Sequence, residues 1–429
     1  MKNAVKWSSV ALAVAMANGL IATQAVAQGE GFVEGASATL SNRTGYFNRD
    51  FRNNAAGQSK AEETATGFVL DFRSGYTQGN IGLGADVMAL AGIKLDSGRG
   101  RAGTGLLPID NDGSVPDEYS EIRGAVKANI AGDTVLRYGF HMLENPILNY
   151  EDSRLLPSHY FGYSITNTSI DGLMLEAGRM TDRGDMDGSS QFDGPYRHSS
   201  LNIDHDKVTY LGGTYAFTDN LSASLYTSKS EDLWKRHYAG LTHVWDFGNG
   251  LDLTTDLSHY QTSDDSPAAA VNADTGLPAD YDNKATSLAF TLGAGFHDFT
   301  VAYQRMGGDA GFAYDDYSIY LANSVQVVDF NAKDERSWQA RYDYDLEGVG
   351  IPGLTFMTRY IKGNNIDAPA GVSDSRWERD TEIRYTLQSG FFQGIDLVWR
   401  NATVRQDSLL DGGDIDENRL YASYTWNLL

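Results

Sequence analysis

The chain has 429 residues, a formal net charge of −23, 46 glycines against 9 prolines, and no cysteine. The lack of cysteine excludes disulfides and thiolate metal sites, and so acidic a chain lacks the clustered Lys and Arg that nucleic-acid binding requires. A soluble chain of this length usually divides into about two or three domains, but no Pro-, Ser- or charge-rich boundary interrupts the sequence after its N-terminal segment.

The N-terminus has the pattern of a secretory signal peptide. Two lysines precede an apolar stretch over residues 10–22, and small residues at 25–27 (Ala-Val-Ala) form a cleavage site. A membrane-spanning anchor is the less favoured alternative, because Asn18 interrupts the stretch and a spanning helix needs about 20 apolar residues. The sequence therefore predicts a signal peptide over 1–27 and a single domain over 28–429.

Alternating apolar and polar residues, bounded by Gly, Asn and Asp, predict β-strands along the rest of the chain. In TGFVLDFRSGY, residues 66–76, the residues on one face are Phe68, Leu70 and Phe72, and Arg73 lies on the other face. About eighteen candidate strands begin near residues 32, 66, 80, 118, 133, 159, 171, 207, 220, 234, 250, 284, 297, 335, 353, 376, 394 and 418.

The connections alternate in length. Every second one is a short turn rich in Gly, Asn or Asp: 77–80, 131–133, 217–220, 247–250, 296–299 and 388–394. Those between are mostly long: 44–65, 93–117, 143–158, 181–206, 261–282, 306–334, 363–375 and 405–417. A soluble all-β protein has no reason to keep its long loops on one side. The pattern predicts an all-β, transmembrane antiparallel β-barrel with short periplasmic turns and long extracellular loops.

The last strand, RLYASYTWNLL at 419–429, indicates which face meets lipid. Its wholly apolar set runs from Leu420 to Leu428, and Tyr424 and Trp426 suit an interfacial aromatic girdle. We expect this strand to close the barrel against the first one and to be recognised by the barrel-assembly machinery. The expected surroundings are outer-membrane lipid and lipopolysaccharide, with the protein a monomer or a trimer.

Arginines fall on the opposite, lumen-facing side of several strands. Four of them, on consecutive late strands, predict one cationic wall: Arg359, Arg384, Arg400 and Arg419. The acids are expected largely in loops, with examples at Asp264, Asp265, Asp315, Asp316, Asp411, Asp414 and Glu417. Such a wall would form an electrostatic track for anions. The alternative is that these arginines are only salt-bridged to acids in the lumen.

Several segments resemble the OprD family, the outer-membrane carboxylate channels (Occ) of pseudomonads. They are GYFNRDFR (45–52), LLPIDNDG (106–113), DSRLLP (152–157), SIYLANSVQVVDFN (318–331), SWQARYDYDL (337–346) and FMTRYIKGNNID (356–367). The resemblance covers essentially the whole mature chain. It implies an eighteen-stranded barrel with the third long loop folded into the lumen, and passive uptake of small carboxylates, such as amino acids or aromatic acids, along a basic ladder.

The same resemblance assigns residues to the translocation path. Candidates at the constriction are Arg154 on the third long loop and Ser318, Ser324 and Asp329 on the seventh. Ladder candidates are Arg359, Arg384, Arg400 and Arg419, with Arg43 and Arg52 near the matching basic positions of the first strand and loop. Val398 stands where the basic-amino-acid type would carry a second arginine, and Tyr421 replaces a ladder residue. These departures leave the substrate subclass open.

An enzyme is disfavoured, because no GxSxG elbow, HExxH pair or paired-Cys ligand set occurs in the mature chain. We therefore expect neither a metal nor another cofactor. The competing function is a non-selective general diffusion porin, which would differ in eyelet width and in ion selectivity.

Overall fold

The computed structural model describes residues 31–429 apart from 53–56, 190–195, 199–202, 206, 232, 266–280, 315–318, 408–409 and 411–412. The predicted signal peptide, Ser318, Asp315, Asp316 and Asp411 therefore lie outside the described residues. None of the helices in the described part of the chain is long and apolar enough to cross a membrane.

The described residues form twenty strands and a short 3-10 helix, Leu346–Val349. The strands are β1 (Ser37–Phe51), β2 (Lys60–Arg73), β3 (Ile81–Asp96), β4 (Glu118–Ile130), β5 (Thr134–His141), β6 (His159–Ile170), β7 (Leu173–Gly184), β8 (Tyr196–His198), β9 (Ile203–His205), β10 (Val208–Thr218), β11 (Leu221–Ser230), β12 (Trp234–Gly248), β13 (Leu251–Asp264), β14 (Asp282–Ala294), β15 (His297–Gly308), β16 (Arg336–Asp345), β17 (Leu354–Asn364), β18 (Arg376–Thr386), β19 (Asp396–Arg405) and β20 (Ile415–Asn427).

Eighteen of these strands form one closed antiparallel barrel. Each pairs with the next along the chain, β7 pairs with β10, and β20 pairs back onto β1 from Asn427↔Thr39 to Ile415↔Phe51. The remaining two, β8 and β9, make a separate hairpin inside the fourth long loop. Closure leaves the barrel without an unpaired edge, as a strand structure in lipid requires. The predicted fold class is confirmed.

The predicted lipid and lumen faces are confirmed on the closing strand. Leu420 and Trp426 are 48% and 43% exposed on the outer surface, whereas Arg419 and Tyr421 are buried inside. The first long connection is shorter than predicted, because β1 and β2 stay paired up to Asp50↔Lys60.

Two long loops fold into the lumen, as predicted for the third. The third loop, 142–158, and the seventh, 309–335, contribute Leu148 and Phe312 to one buried cluster with the inner face of β10–β15. The third loop also packs onto β2 at Gly67, where a Cβ atom would lie 2.8 Å from Leu155. Glycine is needed there because any side chain would push the loop off the wall.

Candidate functional site: the lumen constriction and its arginine wall

A cavity of about 1320 Å³ runs from the β12–β13 turn to the two inward loops. It is the space that a solute would cross between the constriction and the short-turn end of the barrel. The arginines that line it are Arg154, Arg341, Arg359, Arg400 and Arg419. Of the predicted site residues, Ser324 and Asp329 also line it.

Arg154 lies on the third loop, at the top of this cavity. Its Nε donates to Thr104 O at 3.1 Å, its Nη1 donates to Ser153 Oγ at 2.8 Å, and its guanidinium lies 5.2 Å from the Phe47 ring. Within the described residues no carboxylate lies within ion-pair distance of it. Burial, followed by the positive charge of Arg419, lowers the pKa of Arg154 to about 10. Arg154 therefore stays protonated at neutral pH.

Arg43 holds the loop that carries Arg154. Its two terminal nitrogens bind the Asp152 carboxylate at 2.7 and 2.8 Å, and Nη1 also donates to the carbonyl of Arg154 at 2.7 Å. Tyr421 adds a hydrogen bond from its hydroxyl to Ser153 O at 3.1 Å. Because both nitrogens of Arg43 are occupied by the loop, this arginine positions the constriction.

Arg419 belongs to a buried network on the inner face of β1 and β20. Its Nε donates to Glu417 Oε1 at 2.6 Å, and Arg49 donates to the other oxygen at 2.8 and 2.6 Å. Arg419 also donates to Gln326 O on the seventh loop at 3.1 Å and lies 4.5 Å from the Phe47 ring. One carboxylate is thus shared by two arginines, which leaves this patch with a net positive charge.

The other wall arginines are matched more closely by acids. Arg359 Nε donates to Asp380 at 2.6 Å, and Arg400 Nε donates to Glu382 at 2.5 Å. Arg341 makes two bonds of 2.7 Å to Asp343. The prediction that the acids lie largely in loops is wrong for this wall. Glu417, predicted in a loop, is on β20, because that strand begins at Ile415.

Carboxylates that do not belong to β18 or β20 also line the cavity. Asp329, on the seventh loop, accepts hydrogen bonds from Ser324 Oγ at 2.6 Å and from Tyr314 OH at 2.7 Å. Further carboxylates line the cavity toward the short-turn end: Asp246, Asp252, Asp298, Asp343 and Asp345. A solute in the cavity therefore meets arginines from β16–β20 and carboxylates from β12–β16, and the two sets adjoin on β16, where Asp343 is bonded to Arg341.

Three of the described residues predicted for the site do not line the cavity: Arg43, Arg52 and Arg384. Arg384 lies two residues from the short-turn end of β18, is 40% exposed, and pairs with Asp396 at 2.7 Å. Arg52 lies above the barrel, is 54% exposed, and pairs with Asp416 at 2.5 Å. Ser318 is outside the described residues.

Sequence reasoning missed Arg341, Glu382 and Asp380. A signal was present for all three. Arg341 lies directly opposite Arg359 in the β16–β17 register, and Asp380 and Glu382 alternate with Arg384 on the inner face of β18. The alternation that located Arg359 and Arg384 finds Arg341 when it is applied to the preceding strand, β16. It finds Glu382 and Asp380 when it is followed back along β18 from Arg384. No group of three potential metal ligands occurs among the described residues.

The whole chain matches known proteins closely. Residues 30–428 match the family model described as outer membrane porin, OprD family. Porin D of Pseudomonas aeruginosa is 35% identical, over 99% of this chain and 99% of its own. Among solved structures, Pseudomonas aeruginosa OccK9 (OpdG) superposes with a TM-score of 0.86 at 39% identity, covering 93% of this chain and 100% of its own. Pseudomonas aeruginosa OpdK, solved with vanillate, gives 0.83 at 33% identity, covering 92% and 100%.

A closed eighteen-stranded barrel with a polar lumen, narrowed by two inward loops, is a porin: a channel of the outer membrane and not an enzyme. The chain belongs to the OprD family of outer-membrane porins.

Proposed function

We propose that this porin is a selective channel for passive uptake of small solutes that carry a carboxylate. The observation that carries the proposal is Arg154, a cation at the constriction with no carboxylate partner among the described residues. A solute carboxylate that reaches the constriction gains a charge-assisted contact that a neutral solute lacks. We also propose that residues 1–27 are removed as a signal peptide and that β20 is the strand recognised by the barrel-assembly machinery.

Below Arg154, Arg419 and Arg400 extend the basic path along the cavity wall. Each is already paired with a wall acid, so a passing carboxylate exchanges places with Glu417 or Glu382 rather than filling an empty site. Exchange keeps each contact weak, and conduction requires sites that a solute can leave.

The acidic side of the cavity favours solutes that also carry a positive group. A carboxylate held near Arg400 would leave an ammonium group free to turn toward Asp298 or Asp252, which line the same cavity. Amino-acid-like solutes use both sides, whereas aromatic acids of the kind present in the OpdK structure, vanillate, use only the arginine side. We therefore place amino acids first and aromatic acids second.

The test is the effect of Arg154→Ala on the uptake of a carboxylate and of its amide. The rate of liposome swelling should fall by about tenfold with the acid, because one charge-assisted contact is lost. The rate with the amide should change little. Reversal potentials in planar bilayers should shift toward cation selectivity. Arg384→Ala is the matched control, because it removes the same charge from a position outside the cavity. Equal slowing of acid and amide by Arg154→Ala would overturn the proposal.

The second candidate is a general diffusion porin. The observation in its favour is that Arg359, Arg400 and Arg341 are each paired with a wall carboxylate, which reduces the field along the path. In that case the arginines only hold the wall together, and acid and amide of equal size cross at equal rates in every variant.

A further inference from the structure

A row of cations lies on the outer surface of the barrel, at the end that carries the long loops. Its members are Lys284, Arg305, Arg336 and Lys362, one from each of the consecutive strands β14–β17, and all are exposed. Their neighbours in sequence, among them Gln304, Ser337 and Ile361, are buried in the lumen. Because side chains alternate across a strand, these four cations point away from the lumen, toward the membrane.

The row brings like charges together. Arg305 and Arg336 are directly opposite each other in the β15–β16 register. Lys284 lies opposite Gly307, two residues nearer the long loops than Arg305. Lys362 lies opposite Trp338, two residues farther from the long loops than Arg336. Like charges placed directly opposite on a sheet destabilise it. The arrangement therefore calls for an anion.

The protein does not supply that anion among its described residues. The chain has a net charge of −23, yet no carboxylate of the described part forms an ion pair with any member of the row. The acids closest in sequence are Asp334 and Glu335 just before β16, Asp282 on β14 and Asp309 after β15. None of them pairs with the row, and Glu335 pairs with Arg376 inside the lumen. Because the described carboxylates leave the row without an ion pair, an anion from outside the protein is the partner that we consider.

Elsewhere on the same rim, the protein neutralises its own cations. Lys229 and Lys235 face each other across β11 and β12, and Asp265 lies 2.5 Å from both. The lysine pair with its carboxylate is the arrangement expected where no external anion is needed. The row on β14–β17 differs from this lysine pair because no described carboxylate neutralises it.

Aromatic rings lie below Arg305 and Arg336 and level with Lys362, and they set the depth of the row. Trp338 is 60% exposed and packs on Tyr303 with ring centroids 4.5 Å apart, and Tyr360 packs on Trp377 at 5.6 Å. Exposed Trp and Tyr on the outside of a barrel mark the membrane interface. The cations therefore lie just above that boundary, at the level of the head groups of the outer leaflet.

We propose that this row is a binding site for the phosphate groups of the phosphorylated glycolipid of the outer leaflet, the lipid A part of lipopolysaccharide. Arg305 and Arg336 present paired guanidinium groups that match phosphate oxygens in a bidentate manner, and the lysines add charge on either side. Acyl chains below the phosphates then lie against Trp338. The site is outside the lumen, so it is independent of the solute that the channel carries.

The experiment measures the affinity of the purified, refolded barrel in neutral detergent for bisphosphorylated lipid A, with EDTA present, by native mass spectrometry and by the ligand-dependent rise in unfolding temperature. Arg305→Ala/Arg336→Ala should lower that affinity by about tenfold or more. Arg305→Lys/Arg336→Lys should recover part of it, because the charge is kept and the bidentate geometry is lost. Dephosphorylated lipid A should bind the unmodified barrel as weakly as it binds the double alanine variant.

Lys229→Ala/Lys235→Ala is the matched control: it removes the same charge from the same rim, and it should retain the affinity. Retained heat-modifiable mobility on gels establishes that each variant is folded. Equal losses in both double variants would overturn the proposal, since general charge attraction would then explain binding. Unchanged affinity in the double arginine variant would also overturn it. Equal binding of inorganic phosphate and lipid A would reassign the row as a free-phosphate site.

Discussion

The two sides of the lumen are built from different side chains. On β10–β13 the inner face presents four buried tyrosines, Tyr210, Tyr226, Tyr238 and Tyr260, and the two inward loops pack against them. On β16–β20 it presents arginines and carboxylates that line the cavity. Toward the long loops, the aromatic side is filled by protein, and the charged side is left to the solute.

Tyr260 illustrates how the aromatic side fixes the aperture. It is fully buried, donates from its hydroxyl to Pro146 O of the third loop at 2.9 Å, and accepts from Tyr320 N of the seventh loop at 3.1 Å. Its ring lies 5.0 Å from that of Phe312. One side chain thus ties both loops to the wall. The difference between the two sides is that one sets the size of the opening and the other acts on charge.

The largest expected effect comes from breaking the aromatic side. Tyr260→Ala should destabilise the packed lumen by about 3–5 kcal/mol, as loss of a buried aromatic ring does, and should release both loops. We expect higher single-channel conductance and weaker discrimination between large and small solutes in planar bilayers. Tyr260→Phe keeps the ring and should cost only about 0.5–1.5 kcal/mol per lost hydrogen bond. Unchanged conductance in Tyr260→Ala would mean that the loops are held elsewhere.

An intermediate effect is expected from the charged side, where Arg400 and Glu382 form an ion pair. Arg400→Ala should shift ion selectivity toward cations with little change in conductance. Adding Glu382→Ala restores the net charge, so reversal potentials should return most of the way, measured in planar bilayers. Carboxylate uptake should remain low, because the arginine that contacts the solute is still absent. If carboxylate uptake recovers together with ion selectivity in the double variant, Arg400 acts only through its charge and not by contact with the solute.

The smallest expected effect is a pH dependence at the boundary between the two sides. Asp187 lies on the fourth loop, beyond the end of β7, and interacts electrostatically with Arg154. Burial, followed by the charge of Asp185, raises the pKa of Asp187 to about 6. The carboxylate is therefore negative above that pH and offsets part of the Arg154 charge. Below it, the offset disappears.

Anion selectivity should therefore rise modestly as the pH falls from 7 to 5, measured as reversal potentials across a salt gradient. Asp187→Asn should hold selectivity near its acid value throughout that range. If Asp187→Asn keeps the pH dependence of the unmodified protein, another group is responsible for the titration.

Local sequence patterns determined the barrel. Strand phase follows from alternation with a period of two, and strand ends follow from Gly, Asn and Asp in turns, so eighteen strands and their lipid face were predictable. Loop length distinguished the periplasmic end of the barrel, which carries the short turns, from the extracellular end, which carries the long loops. The alternation that located the strands also assigned Arg400 and Arg419 to the lumen side, where they lie. Arg154 is on a loop, and only the family resemblance pointed to it.

Tertiary structure alone decided which charges meet. The pairs Arg400–Glu382 and Arg419–Glu417 depend on neighbouring strand registers, and the seating of Arg154 depends on Arg43 and a folded loop. Alternation assigns a residue to a face but not to a height in the barrel. It therefore could not separate Arg384, near the periplasmic end, from the arginines that line the cavity. Nor could it predict that apolar residues cover both faces of β10–β13, because the inner set is buried by loops distant in sequence.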